Sequence, residues 1–427
     1  MKTKKLLTGL LSMFTLCTCL CLSAFGLDNG PAQIRHEPIT QQLITMMDHN
    51  APLKQMLLDS IASAKKLNPD KVMNPAQTLE EYYTFIDWAT KAMPWSILRN
   101  IPYSSLYDQI DQSLDYFYYI NDQPLAALKN KGYYNNSLQY HEPYRSWMIN
   151  FTREWGIYLS TEASWNDQYY RAALADPRFG LQKGWYEDPS NWKTFNQFFA
   201  RYLKSPDQRP IASPDDSTII ASPADSKPQG VWKIDKHSNL VGKGVRIKST
   251  LFKSVAALLG QDSAYKKAFA NGTLTHTFLD VNDYHRYHFP LSGTVKEVRL
   301  IAADDAVGGI ISWDAKAKRY MLDSNNPGWQ NIETRGCVII ETKEYGLVAL
   351  LPIGMSQVSS VNFEKEVKVG ASFKKGDMLG YFLFGGSDYV ILFQDKVKFT
   401  LTAPKDKDGH YNHLLMGEQY GKVSVRR

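Results

Sequence analysis

Two histidines, a serine and an aspartate stand in local contexts that suit proton transfer and nucleophilic attack. His285 and His288 lie in Asp283-Tyr-His-Arg-Tyr-His-Phe-Pro-Leu-Ser-Gly293. A His-x-x-His pair can open a zinc site, but zinc takes three or four ligands, and a bare pair is equally two structural imidazoles. His410 and His413 repeat the spacing in a polar tail, where a solvated loop is expected. Ser387 follows Gly385-Gly386 and leads into Asp-Tyr-Val-Ile-Leu-Phe, so the backbone before the hydroxyl can adopt shapes that a bulky residue blocks. It is not the Gly-x-Ser-x-Gly elbow of hydrolases, and alone it reads as a turn. Asp225, in Ala221-Ser-Pro-Ala-Asp-Ser, is by itself a turn aspartate after proline. Together, a carboxylate, an imidazole and a hydroxyl are the parts of an oriented base and its nucleophile. Their chain order suits several unrelated folds and does not settle the reaction.

The elements that must position these groups change character along the chain. From about 38 to 190 apolar residues recur at three- and four-residue spacing, the period of amphipathic helices. Seven of the ten tryptophans fall between Trp88 and Trp192. They read as an aromatic helical core in preference to an interfacial face, because no strongly basic face accompanies them. A proline-rich polar passage at 205–216 follows. Beyond it the period shortens to that of strands, at 217–221, 293–301, 337–341, 347–353 and 389–393, with one helix expected at 251–272. The fold class is therefore α+β, a helical N-terminal region at 27–190 and a mainly β, barrel- or sandwich-like domain at 191–427.

The 427 residues exceed one ordinary core. Residues 1–26 have the form of a secretory signal: Lys2, Lys4 and Lys5, an apolar run, then Ser23-Ala24-Phe25-Gly26. An uncleaved anchor is the alternative. Export implies a periplasmic or membrane-associated protein. Removing the segment takes the net charge from +6 to +3, since three lysines and no acids leave with it. That balance argues against nucleic acid as a partner. Three of the four cysteines also leave, so Cys337 has no disulfide partner and is expected as a small buried apolar residue.

Five ordered blocks resemble the phosphatidylserine decarboxylases: Phe195-Asn-Gln-Phe-Phe-Ala-Arg, Arg209-Pro-Ile, Ser222-Pro-Ala-Asp225, Tyr284-His-Arg-Tyr-His-Phe-Pro-Leu-Ser-Gly293 and Lys375-Gly-Asp-Met-Leu-Gly-Tyr-Phe-Leu-Phe-Gly-Gly-Ser387. The match spans roughly 191–395. Residues 40–190 look like the helical extension of longer relatives, among them fungal enzymes acting on tryptophan.

The resemblance implies a proenzyme that cuts itself between Gly386 and Ser387, leaving a covalent pyruvoyl (pyruvate) cofactor in place of Ser387 and no metal. In the roles it implies, Asp225 orients His288, His288 is the base on Ser387, and His285 returns a proton during decarboxylation. Implied partners are phosphatidylserine at a membrane surface, which would become phosphatidylethanolamine, and the protein's own two cleaved chains. A homodimer is compatible with the sequence. Two alternatives stay open: decarboxylation of a free aromatic amino acid, and a non-catalytic exported β-sandwich in which Gly-Gly-Ser is only a hairpin. The sequence departs from the family pattern at Ser226, where Gly is usual, and at Asp388, where Thr or Ser is frequent. A carboxylate at 388 is expected to compete for the catalytic histidine.

Overall fold

Helices of the first half form where an apolar stripe coincides with a capping side chain. In Ala51–Leu67 the buried residues Leu53, Met56, Leu57, Ile61 and Ala64 follow the helical period, and the Asn50 side chain accepts from Leu53 N–H. Thr78 and Ser105 cap Leu79–Ala89 and Leu106–Asn121 in the same way. Leu106–Asn121 is buried on all sides along Tyr116, Phe117, Tyr118, Tyr119 and Ile120. Such a helix needs neighbours all round. One neighbour is the hairpin Ile310–Asp314/Arg319–Asp323, whose Tyr320 exchanges two hydrogen bonds with the Gln112 side chain, at 2.6 and 3.1 Å.

This computed structural model describes residues 35–426 except 243–244, 248–249, 304–308, 324–328 and 356–359. The signal-like segment 1–26, with Cys17, Cys19 and Cys21, lies outside the described residues. Among the described residues no helix is long and apolar enough to cross a membrane.

The second half is antiparallel sheet. Seven strands pair in the order Ser372–Phe373, Gly293–Ile301, Arg335–Thr342, Gly346–Met355, Gly386–Phe393, Thr273–Leu279 and Lys227–Lys233. Gly386–Phe393, hereafter the serine strand, is buried at every position. Side chains alternate between faces, and here both faces meet core. Tyr389, Ile391 and Phe393 join a core shared with the helices, and Val390 and Leu392 join a second cluster with Cys337. Ser360–Phe363, Met378–Leu383 and Arg286–His288 make a second sheet, and the last of these is the histidine strand.

Helices and sheets draw on one apolar core: Phe117 and Trp155 belong to the same cluster as Phe384 and Tyr389. The tryptophans bear out a core role, with Trp147 and Trp155 fully buried and Trp95, Trp165 and Trp192 nearly so. Cys337 is buried, and burial pushes its thiol up to about 12. The helix expected at 251–272 reduces to Val255–Leu258. Gly260 has φ +84°, a left-handed turn that ends the helix, and the chain beyond it turns back through Ser263.

Trp155 tests the shared core. Its indole N–H donates to Ala92 O at 2.9 Å and its ring meets Phe384 edge-on at 5.3 Å. Trp155→Ala should cost about 3–5 kcal/mol in urea unfolding, whereas a loss under about 1 kcal/mol would mean that the helices are not part of the core holding Phe384.

Candidate active site

The loop before Ser387 is held from three sides. Phe195–Phe199 is a short helix closed by a reciprocal capping box between Thr194 and Gln197. From it Asn196 accepts the N–H of Phe384 at 3.0 Å, three residues before the serine. Phe195 and Phe199 pack edge-on against the Phe384 ring. Gly385 then takes φ +143°, a conformation that side-chain-bearing residues rarely adopt. The chain enters the central sheet at Gly386. Ser387 Oγ is buried and has no hydrogen-bond partner among the described residues.

The two histidines are held as the same tautomer but differ in what their second nitrogen meets. His285 Nδ1–H donates to Asp283 O at 2.9 Å, and its ring stacks on Phe199 at 3.7 Å. Its Nε2 is buried without a partner. Burial, helped by Arg201, holds the imidazole well below its ordinary pKa, so it is neutral with a free lone pair. Arg201 donates to the carbonyls of Asn282 and Asp283 and so fixes the loop that carries His285. His288 Nδ1–H donates to Gly376 O at 2.8 Å, while its Nε2 accepts from Tyr284 OH at 3.1 Å. Burial lowers this imidazole to about 4. Gly376 presents its carbonyl from a turn at φ +91°, where a Cβ would lie 2.6 Å from Ile211. His285 immediately precedes the histidine strand, its carbonyl accepting from Phe382 N–H at 2.9 Å, and Ser387 and Tyr389 share a side of the serine strand by alternation. Tyr287 and Tyr389 meet, with ring centroids 5.9 Å apart.

Asp225 does not hydrogen-bond His288, contrary to the orienting role implied by the resemblance. Its carboxylate takes both arms of the Arg209 guanidinium, at 2.9 and 2.6 Å, and the Met416 N–H at 2.7 Å. Bidentate arginine outcompetes imidazole for a buried carboxylate because it brings a permanent charge and two parallel donors. The field of Asp225 still reaches His288 and raises its pKa against burial.

Neither departure from the family pattern disturbs the serine. Asp388 does engage a histidine, but His276, at 3.0 Å, with Gln330 donating at 2.9 Å. By alternation this pair lies on the other face of the serine strand from Ser387. The competition expected from sequence is absent because adjacent strand residues point apart. Ser226 is buried and satisfied, donating to Ala224 O and accepting from Thr277.

A cavity of about 130 Å³ reaches Gly386 from the helical side. Tyr107, Asp111, Asp115 and Tyr118 line it from the helix Leu106–Asn121, and Asp280 from the loop before the histidines. Sequence reading missed these residues, along with Arg209 and Tyr284 as site members; a helix with carboxylates among its buried tyrosines was the available signal. His413 is not merely a solvated tail residue. Its Nε2 lies 2.8 Å from Asp283 Oδ1, so the tail is tied to the loop that holds His285.

Two consequences can be measured. The Arg209–Asp225 pair is buried, so Arg209→Ala should lower unfolding stability by about 3–5 kcal/mol by stranding a carboxylate. An effect below about 1 kcal/mol would show the pair to be dispensable. For His413, burial lowers the pKa, but the bond to Asp283 and the carboxylates of Asp283, Asp225 and Asp280 outweigh it, and the net shift is upward. Burial pushes Asp283 up, and its hydrogen bond and charge contact with His413 oppose that rise. A raised folded-state pKa stabilises fully below the ordinary histidine value of about 6.5 and is lost as pH rises through the raised value. The stability difference between wild type and His413→Gln should therefore shrink as pH rises above that value, and growth of the difference with pH would contradict the assigned contact.

Residues 195–422 match the family model described as phosphatidylserine decarboxylase. A phosphatidylserine decarboxylase proenzyme from Alcanivorax borkumensis is 31% identical over 266 residues, covering 60% of this chain and 86% of that protein. The rice phosphatidylserine decarboxylase proenzyme 2 is 35% identical over 215 residues, 50% of this chain but only 31% of the rice protein. Decarboxylase iboD of Amanita muscaria is 28% identical over 278 residues, covering 59% of this chain and 77% of the fungal one. The chain thus spans under a third of its rice relative and most of the bacterial and fungal ones, and it belongs to the phosphatidylserine decarboxylase family.

Proposed function

We propose that this chain is a self-cleaving proenzyme of a carboxy-lyase, and that Ser387 becomes its pyruvoyl group. The observation that carries the reading is that Ser387 Oγ, which follows two glycines at the entry of the central strand, and His285 Nε2 are both buried with no hydrogen-bond partner among the described residues. A neutral imidazole with a free lone pair is a competent base, and Gly386 offers an unhindered carbonyl.

In the first step the serine proton passes to histidine and Oγ bonds to the Gly386 carbonyl carbon. The Gly386–Ser387 C–N bond breaks, the nitrogen takes a proton, and an ester joins the two segments. Loss of the Cα proton at 387 then expels Gly386 as a carboxylate and leaves a dehydroalanine. Water adds, ammonia departs, and a pyruvoyl group heads a small chain of 41 residues, 387–427. That group supplies a ketone that holds a substrate amine and accepts the electron pair released with carbon dioxide.

The protein's own residues do the rest. The small chain stays bound because the serine strand pairs on both edges, with Gly346–Met355 and Thr273–Leu279, and Gln419–Val425 pairs with Ile219–Ala221. Phe199, Phe384 and Tyr389 exclude water around His285. His285, neutral and fixed by Asp283 O, is the group we assign to hold or return a proton. The resemblance gave the serine base role to His288, but Tyr284 engages His288 Nε2 in the uncut chain, so we assign that role to His285.

The relatives' names point to phosphatidylserine. One observation favours a free amino acid: the cavity reaching Gly386 is small and bears carboxylates. Both substrates present the amine and carboxylate that this chemistry needs.

Denaturing gels with intact-mass measurement test the reading. Wild type should give two chains and Ser387→Ala one. His285→Ala should stay uncut and His288→Ala should still cut. The opposite histidine pattern would return the base role to His288, with Tyr284 releasing it. A wild type that remains one chain and releases no carbon dioxide from phosphatidylserine vesicles or free amino acids would end the enzyme reading.

A further inference from the structure

The cavity at Gly386 has a feature that self-cleavage does not use. Asp115 lines it, is 8% exposed, and among the described residues no donor hydrogen-bonds or ion-pairs with its carboxylate. The other carboxylates of the lining are partnered: Asp111 by Arg319 at 3.0 Å and Asp280 by Tyr107 OH at 2.8 Å. A buried carboxyl without a counter-charge is costly. Burial holds Asp115 well above the ordinary carboxylate range; Asp111, Asp122 and Asp280 push the same way, and Arg319 opposes them. Burial thus keeps the carboxyl neutral, and a cation entering the cavity would let it ionise and pair.

Size and sign restrict the occupant. About 130 Å³ is close to the roughly 150 Å³ of an engineered cavity that takes up benzene. It is large enough for an amino-acid side chain. A phosphodiester brings no cation for Asp115 and would approach Asp280, whose partner Tyr107 is uncharged. The walls around the carboxylates are apolar, with Leu114, Phe278 and Val281 against an incoming methylene chain.

We propose that this cavity, built by the helix Leu106–Asn121 over Gly386, is a side-chain subsite for a free α-amino acid carrying a second positive charge, with Asp115 as the group that binds it. The inference rests on the decarboxylase reading above and assigns its substrate class. The α-amine and α-carboxylate sit at the residue-387 end, and the distal ammonium or guanidinium meets Asp115. The helical region is then the part of the protein that sets specificity, while the β part carries the chemistry.

Carbon dioxide release by the cleaved wild-type protein is measured on ornithine, lysine and arginine, on serine, tryptophan and glutamate, and on phosphatidylserine vesicles. A cationic amino acid should exceed each of the others in kcat/KM by at least tenfold. Asp115→Asn, nearly isosteric, should cut to two chains as wild type does and lose at least tenfold on that substrate, chiefly through KM. A cleaved, active wild type that prefers phosphatidylserine, tryptophan or glutamate would overturn the subsite and leave the decarboxylase reading intact. So would an Asp115→Asn variant with unchanged KM for the cationic substrate. A wild type that never cuts would overturn both.

Discussion

A hydroxyl buried without a hydrogen-bond partner costs about 1–3 kcal/mol, and this fold keeps one at Ser387, at the head of a strand paired on both edges. The position is maintained from outside the strand. Asn196 grips the backbone of Phe384, the Phe195 and Phe199 rings brace its side chain, and Gly385 makes a turn that other residues resist. Trp155 of the helical half closes on the same ring. The strain of the free hydroxyl is spread over two halves of the chain that share one core. This explains why the sequence blocks around residues 195 and 387 belong together although nearly two hundred residues separate them.

Strand alternation separates two charged arrangements that would otherwise interfere. Ser387 and Tyr389 face the helices and the histidine strand, while Asp388 faces His276 and Gln330 on the other side. The buried carboxylates are divided in a similar way. Asp225 is neutralised by Arg209, Asp283 by His413, and Asp115 alone meets a cavity without a partner. Paired carboxylates belong to the frame, and the one left unpaired among the described residues is where a ligand is proposed to bind.

Much of this was legible in the chain. The change from helical to strand period, the burial of the tryptophans, the inert Cys337 and the strand 293–301 came from pattern and composition, because one face of each element needed burial. Of the site positions, the field of Asp225 reaches His288, and Phe199 touches both His285 and Phe384, three residues before Ser387. Partner choice was not legible. Nothing in Ser222-Pro-Ala-Asp225 says that Arg209 will capture the carboxylate, or that Tyr284 will occupy His288, since both pairings depend on loops meeting in space. The apolar residues at 251–272 suggested a long helix, but the glycine at 260 takes a left-handed conformation and ends it after one turn. The Asp115 cavity was hidden for a related reason. An aspartate in a helix reads as a solvated face until a sheet is laid over it.

The central claim is that the chain cuts at Ser387 and makes its own electrophile there. Intact-mass analysis of the small chain, before and after treatment with a hydrazide reagent, tests this most directly. The account predicts a chain of residues 387–427 whose first residue has lost its amine, carries a ketone, and gains the mass of one hydrazone. A small chain beginning with an ordinary serine, or one that leaves the hydrazide unreacted, would contradict it.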